Sequence, residues 1–262
     1  MTVVDHRLPR VFHSEWTKLV SLRSTAYTLA STAVCGVGLA FLISAGQATE
    51  YTSGDAAARA EFDPAIGLRS ILIAQLTLGV LGVLVVTSEW STGMMRTSLV
   101  AVPRRGGLLA AKAGVFGGVA LIVGELVGFV AFLVGQRTLA DGGAPHLGLG
   151  EPGALRAAAG YGLYLAAIGL LGVALGTLLR STAGALATLV GATLLIPAFT
   201  PALPTALADF LQTWWPPTAG LGILAVTPEP HGLGPWAGFG VLLGSVAVVT
   251  AIAAVVFRRR DV

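Results

Sequence analysis

In this chain of 262 residues, 55% are hydrophobic and only 11% are charged, a balance that a globular interior cannot absorb. The mean hydropathy of +0.81 makes a bilayer the solvent for most of its surface. A net charge of +3 and a pI near 9.4 require no nucleic acid, because the basic residues gather beside apolar runs, where they would meet water and anionic headgroups.

Residues 1–25 come before the first apolar run. Here Phe12, Trp16, Leu19 and Val20 recur at helical spacing, with Glu15 and Lys18 in the same stretch. The pattern predicts a helix lying on the membrane surface, or else a short polar tail whose aromatics sit near the membrane, with Trp16 and Lys18 suited to the headgroup layer in either case. A membrane-crossing helix needs about 20 mostly apolar residues. Such runs occur at 26–45, 66–86, 108–135, 157–179, 183–198 and 236–257, which makes six spans, the fifth being the shortest. The first run is too long for a signal-peptide core and lacks a convincing cleavage pattern. Cys35 falls within it as a lone thiol, equivalent to a small apolar residue.

An even number of spans puts both termini on one side. Twelve Lys and Arg then share that side, and Arg59, Arg69, Arg137 and Arg156 fall on the other. By the positive-inside rule the termini are expected in the cytoplasm, with the protein multi-pass in the cell membrane.

The first loop on that inner side, 87–107, has the most distinctive sequence: TSEWSTGMMRTSLVAVPRR runs from Thr87 to Arg105. Thr87 and Ser88 are expected to cap a short helix, with Glu89 in its first turn and Arg96 further on. Trp90, Met94, Met95 and Leu99 would be its exposed apolar residues, either docking on a partner or lying on the inner leaflet. The outer loop 199–235 carries seven prolines yet stays apolar. It predicts one or two short re-entrant or interfacial helices anchored by Trp214 and Trp215, or else a surface loop packed on the bundle. Glycines four apart recur inside the spans: Gly114/Gly118, Gly124/Gly128, Gly172/Gly176 and Gly240/Gly244. Such pairs let helix backbones approach closely.

Catalytic signatures are absent. There is no P-loop, no HExxH, no nucleophile elbow and no Cys/His cluster, so no catalytic residue, bound cofactor or metal is expected. The formal dinucleotide match GLGEPG at Gly148 contains Pro152 and follows no strand, and is discounted.

The stretches SEWTKLVSLRST and TSEWSTGMMRTSLVAVPRR, with LLAAKA soon after, resemble permease subunits of ABC-2 type ABC transporters from actinobacteria. WWPPTAG from Trp214 is similar to the Pro and Ala-Gly stretch common after the fifth span of such permeases. The resemblance covers the whole chain and implies an all-α, polytopic, single-domain permease, residues 1–262, with six transmembrane helices. It would have an N-terminal interfacial helix and short re-entrant or interfacial helices between spans 5 and 6.

It also implies that Glu89, Trp90, Met94, Met95, Arg96 and Leu99 couple to a separate cytoplasmic ABC ATPase subunit, which binds ATP and Mg. Phe12, Glu15, Trp16, Lys18 and Leu19 of the interfacial helix would add to that contact. A second permease, identical or related, would complete the pathway, and export is the expected direction for an unidentified substrate. An ATP-independent membrane protein, an ion-coupled carrier or an anchor or sensor, is the alternative.

Glu125 is the one carboxylate well inside a span. Gln75, Tyr164, Thr193 and Ser245 fall at comparable depth, so a polar layer in the bundle is expected. Glu125 itself is either a structural hydrogen-bonding residue or part of a substrate path.

Overall fold

The computed structural model describes residues 8–60, 62–94, 105–227 and 232–259. Among these the chain is helical with no strands, and six helices are long and apolar enough to cross a membrane. The protein is an all-α polytopic membrane protein. An N-terminal helix α1 (Leu8–Ser21) precedes the spanning helices α2 (Arg23–Ser53), α3 (Ile66–Ser91), α4 (Gly106–Asp141), α5 (Ala154–Leu179) and α6 (Thr182–Ala202). Two short helices, α7 (Thr205–Trp214) and α8 (Pro216–Leu221), lead to the last spanning helix, α9 (Pro235–Arg259). The spans match the apolar runs and extend past most of their ends, because polar residues continue the helices beyond the hydrocarbon-length cores.

Helix α5 is the axis of the bundle. Of its most apolar stretch 78% is buried, against 22% in α2, 17% in α6 and 22% in α9. Glycine makes this possible. A Cβ on Gly82 of α3 would strike the Gly169 carbonyl of α5, and one on Gly172 would strike the Gly79 carbonyl. The two backbones therefore touch directly, a geometry open only to the smallest residue. Gly124 and Gly128 of α4 face α5 in the same way, a Cβ on Gly124 lying 3.0 Å from Gly162. By contrast Gly118, Gly240 and Gly244 have nothing within 4 Å, so only some of the paired glycines mark helix contacts.

Three pairs of polar side chains on α2, α3 and α5 meet across the bundle, although buried Ser44 Oγ on α2 has no hydrogen-bond partner among the described residues. The Tyr164 hydroxyl donates to Gln75 Oε1 at 2.9 Å, Ser70 and Tyr161 share a hydrogen bond of 3.1 Å, and Thr32 and Thr77 share one of 2.7 Å. Each ties two helices together in a place where an unmade bond would be costly.

The connection between α6 and α9 folds back onto the bundle. A Cβ on Gly160 of α5 would meet fully buried Ile223, and one on Gly220 would meet Leu242 of α9. Gly160 lies six residues into α5, about 9 Å along its axis at 1.5 Å per residue, so this segment descends well beside the spans. Arg156 fastens it by donating from Nη2 to the Ala225 carbonyl.

The adjacent tryptophans part company. Trp214 is exposed, while half-buried Trp215 donates from Nε1 to the Ala192 carbonyl at 2.7 Å, within a π-helical turn of α6 (Gly191–Leu195). Trp215→Phe keeps the ring but leaves that carbonyl without its side-chain donor. It is expected to lower stability by about 1 kcal/mol, read as a lower thermal midpoint in detergent.

Candidate functional site

At the end of the bundle that carries both termini, four charged side chains from three helices converge. Glu15 and Lys18 lie one turn apart on α1, Glu89 is in the last turn of α3, and Lys112 is in the second turn of α4. Lys112 Nζ donates to Glu15 Oε2 at 2.6 Å and to Glu89 Oε1 at 2.9 Å. Lys18 Nζ donates to Glu15 Oε1 at 2.7 Å and to Glu89 Oε1 at 3.1 Å. Each ammonium thus bridges both carboxylates in a closed ring of zero net charge.

The ring is buried. Side-chain exposure is 4% for Glu15 and Lys112 and 7% for Glu89, with Lys18 at 29% closing the solvent side. A carboxylate in the last turn of a helix opposes the helix dipole, so Glu89 is held there by the lysines and not by its own helix.

Burial alone would push the Glu15 carboxyl up, but the Lys112 and Lys18 ammonium groups outweigh it and hold it below its ordinary value of 4.5. Burial would likewise lower Lys18, yet the hydrogen bond to Glu15 and the charge of Glu89 hold it above its ordinary 10.5.

The ring corrects the sequence reading of α1. Its buried face is Val11, Glu15 and Leu19, docked against α4. Phe12, Trp16 and Val20 form an exposed apolar stripe one position over, with Phe12 lying across Gly114 of α4. An acidic residue points inward here because a buried ammonium awaits it. Apolar periodicity cannot reveal such a pairing.

The loop 87–107 also differs from expectation. No cap forms at Thr87 or Ser88; their hydroxyls donate back to the carbonyls of Val83 and Leu84, and α3 runs on through Ser91. The break comes at Gly93, whose φ of +74° is a left-handed conformation favourable to glycine. Glu89 and Trp90 are therefore the last turn of a spanning helix and not an exposed docking surface.

Trp90 is half-buried between two other helix ends. The Arg180 guanidinium lies 4.2 Å from its ring centroid, and Phe257 meets it edge-on at 6.2 Å. Arg180 ends α5 with φ of +52°, and Ser181 then caps α6 by accepting from the Gly184 amide. One tryptophan so gathers the ends of α3, α5 and α9. Within the loop Met94 is exposed, whereas Met95, Arg96 and Leu99 lie outside the described residues.

The expected polar layer is only partly assembled. Gln75 and Tyr164 are bonded to each other, but Ser245 donates to the Leu242 carbonyl and Thr193 to the Leu189 carbonyl, each within its own helix. Glu125 is half-buried near the middle of α4, its carboxyl against Gly162 of α5, and makes no hydrogen bond or ion pair among the described residues. The ring carboxylates were visible in the sequence as Glu15 and Glu89. Lys112 gave no signal beyond adding to the basic residues near the ends of the spans, although an ammonium four residues after Leu108, inside the third apolar run, was a candidate partner for both.

The same residues hold no metal constellation: no cluster of three His, Cys, Asp or Glu side chains occurs among those described. Comparison with known proteins finds no matching family model and no matching curated sequence.

Proposed function

We propose that this chain is the membrane-spanning permease subunit of an ABC-2 type transporter, probing no chemistry of its own and driven by a separate cytoplasmic ATPase that binds ATP and Mg. Both termini face the cytoplasm in this reading, and the transported substrate is exported. The two motifs that resemble the family and the six spanning helices support it.

The observation that carries it is the buried ring of Glu15, Lys18, Glu89 and Lys112. It joins the N-terminal helix to the two helices that flank the loop from Thr92 to 105, while the Trp90 stack joins α5 and α9 to the same place. A push on that loop therefore moves several helix ends together instead of bending one loop. Six spans enclose little space, so two permeases would pair to form the pathway, with two ATPase subunits beneath them.

Met94 is the described apolar residue of the loop that remains exposed, and it supplies the contact test. With the protein co-expressed beside an ATPase encoded next to it, Met94→Asp is expected to cut co-purification of the ATPase at least tenfold without altering the gel-filtration profile of the permease. Undiminished co-purification would refute docking at this loop.

A further inference from the structure

On the half of the bundle nearest the termini, α4, α5 and α9 enclose a cavity of about 240 Å³. Its walls include Leu109 and Ala113 of α4, Leu170 and Ala174 of α5, and Val246 and Thr250 of α9. Apart from one hydroxyl they are apolar. Water gains nothing in such a space, and an apolar chain does.

Charge lies just beyond the Leu109 side of the cavity. One turn before Leu109, Gly106 lies beneath the guanidinium of Arg258, whose central carbon would be 3.1 Å from a Cβ placed there. Arg258 and the neighbouring Arg259 are both exposed. Val246 and Arg258 are twelve residues apart on α9, about 18 Å at 1.5 Å per residue, close to the thickness of one leaflet of a hydrocarbon core roughly 30 Å across.

We infer that this cavity is a binding site for an anionic phospholipid, with one acyl chain between α4, α5 and α9 and the phosphate on Arg258 and Arg259. The matching of an apolar slot to a basic mouth, one leaflet apart, selects this occupant. A protein segment would need no such charge at the water boundary, and a zwitterionic lipid would gain less from it. Bound there, the anionic lipid fills the space between α9 and its neighbours. The site is independent of the proposed transport function.

The test is native mass spectrometry of the purified full chain, titrated with phosphatidylglycerol or phosphatidylcholine carrying the same acyl chains. Phosphatidylglycerol is expected to bind more tightly, and R258Q and R259Q are each expected to weaken it about fivefold, the effect of one basic side chain near an anionic surface. Ala174→Phe, which fills the cavity, is expected to weaken both lipids.

A second measurement needs no variant. Phosphatidylglycerol with a photoreactive group at the end of its acyl chain should label peptides containing Leu170 or Val246 in the unmodified protein. Equal affinity for the two lipids, or labelling spread over the outer helices with none at these positions, would overturn the assignment.

Discussion

Lys112→Met is expected to cost about 3–5 kcal/mol, because removing one partner from a buried ion pair strands the charge opposite. Here two carboxylates would lose it at once: Glu15 and Glu89 would share the single ammonium of Lys18. The measurement is unfolding of the purified protein in detergent, by denaturant or heat. Combining Lys112→Met with Glu89→Gln restores neutrality and leaves the Glu15–Lys18 pair intact, so the double variant should lose clearly less than the sum of the two single losses. A single-variant cost below about 1 kcal/mol, the range of an exposed surface pair, would mean that the ring is not buried in solution.

The same ring sets a pH profile. Glu15 is held below its ordinary 4.5, so its contribution is full above that value and is lost as pH falls through its lowered folded value. Lys18 is held above its ordinary 10.5, so its contribution is full below that value and is lost as pH rises through its raised folded value. The part of the stability that these two groups supply should therefore stay level from about pH 5 to 10 and weaken on the acid side first.

The second large effect is expected at Gly82. Gly82→Ala should destabilise the protein by about 1–3 kcal/mol or more, since the new methyl meets backbone, which cannot turn aside as a side chain can. A Cβ there would lie 3.0 Å from the Gly169 carbonyl carbon and 3.2 Å from the Val173 nitrogen. The identical change at Gly240, where nothing lies within 4 Å, should be neutral or stabilising by up to about 1 kcal/mol through helix propensity. Opposite signs for one chemical change separate the α3–α5 seam from the outward face of α9. If both variants behaved alike, the direct backbone contact between α3 and α5 would be wrong.

These predictions rest on features of unequal visibility. Trp214 and Trp215 read alike in sequence, yet one is exposed and the other reaches the Ala192 carbonyl. Gly172/Gly176 and Gly240/Gly244 have the same spacing, and only the first pair meets another backbone. Trp90 looked like an exposed anchor because it follows a polar pair in a basic loop, but α3 continues past it and Arg180 and Phe257 enclose it.

The existence, number and approximate limits of the spanning helices were set by the sequence alone. Hydrocarbon thickness demands long apolar runs, and the backbone within them has no partner other than itself. Which helix lies at the centre, which glycines touch, and which charges meet were decided only in three dimensions. Lipid is as apolar as a helix neighbour, so inward and outward faces carry the same composition and periodicity is silent about them. Glu15, Lys18, Glu89 and Lys112 are separated by up to 97 residues, and only the packing of α1 at the ends of α3 and α4 turns four boundary charges into one buried ring.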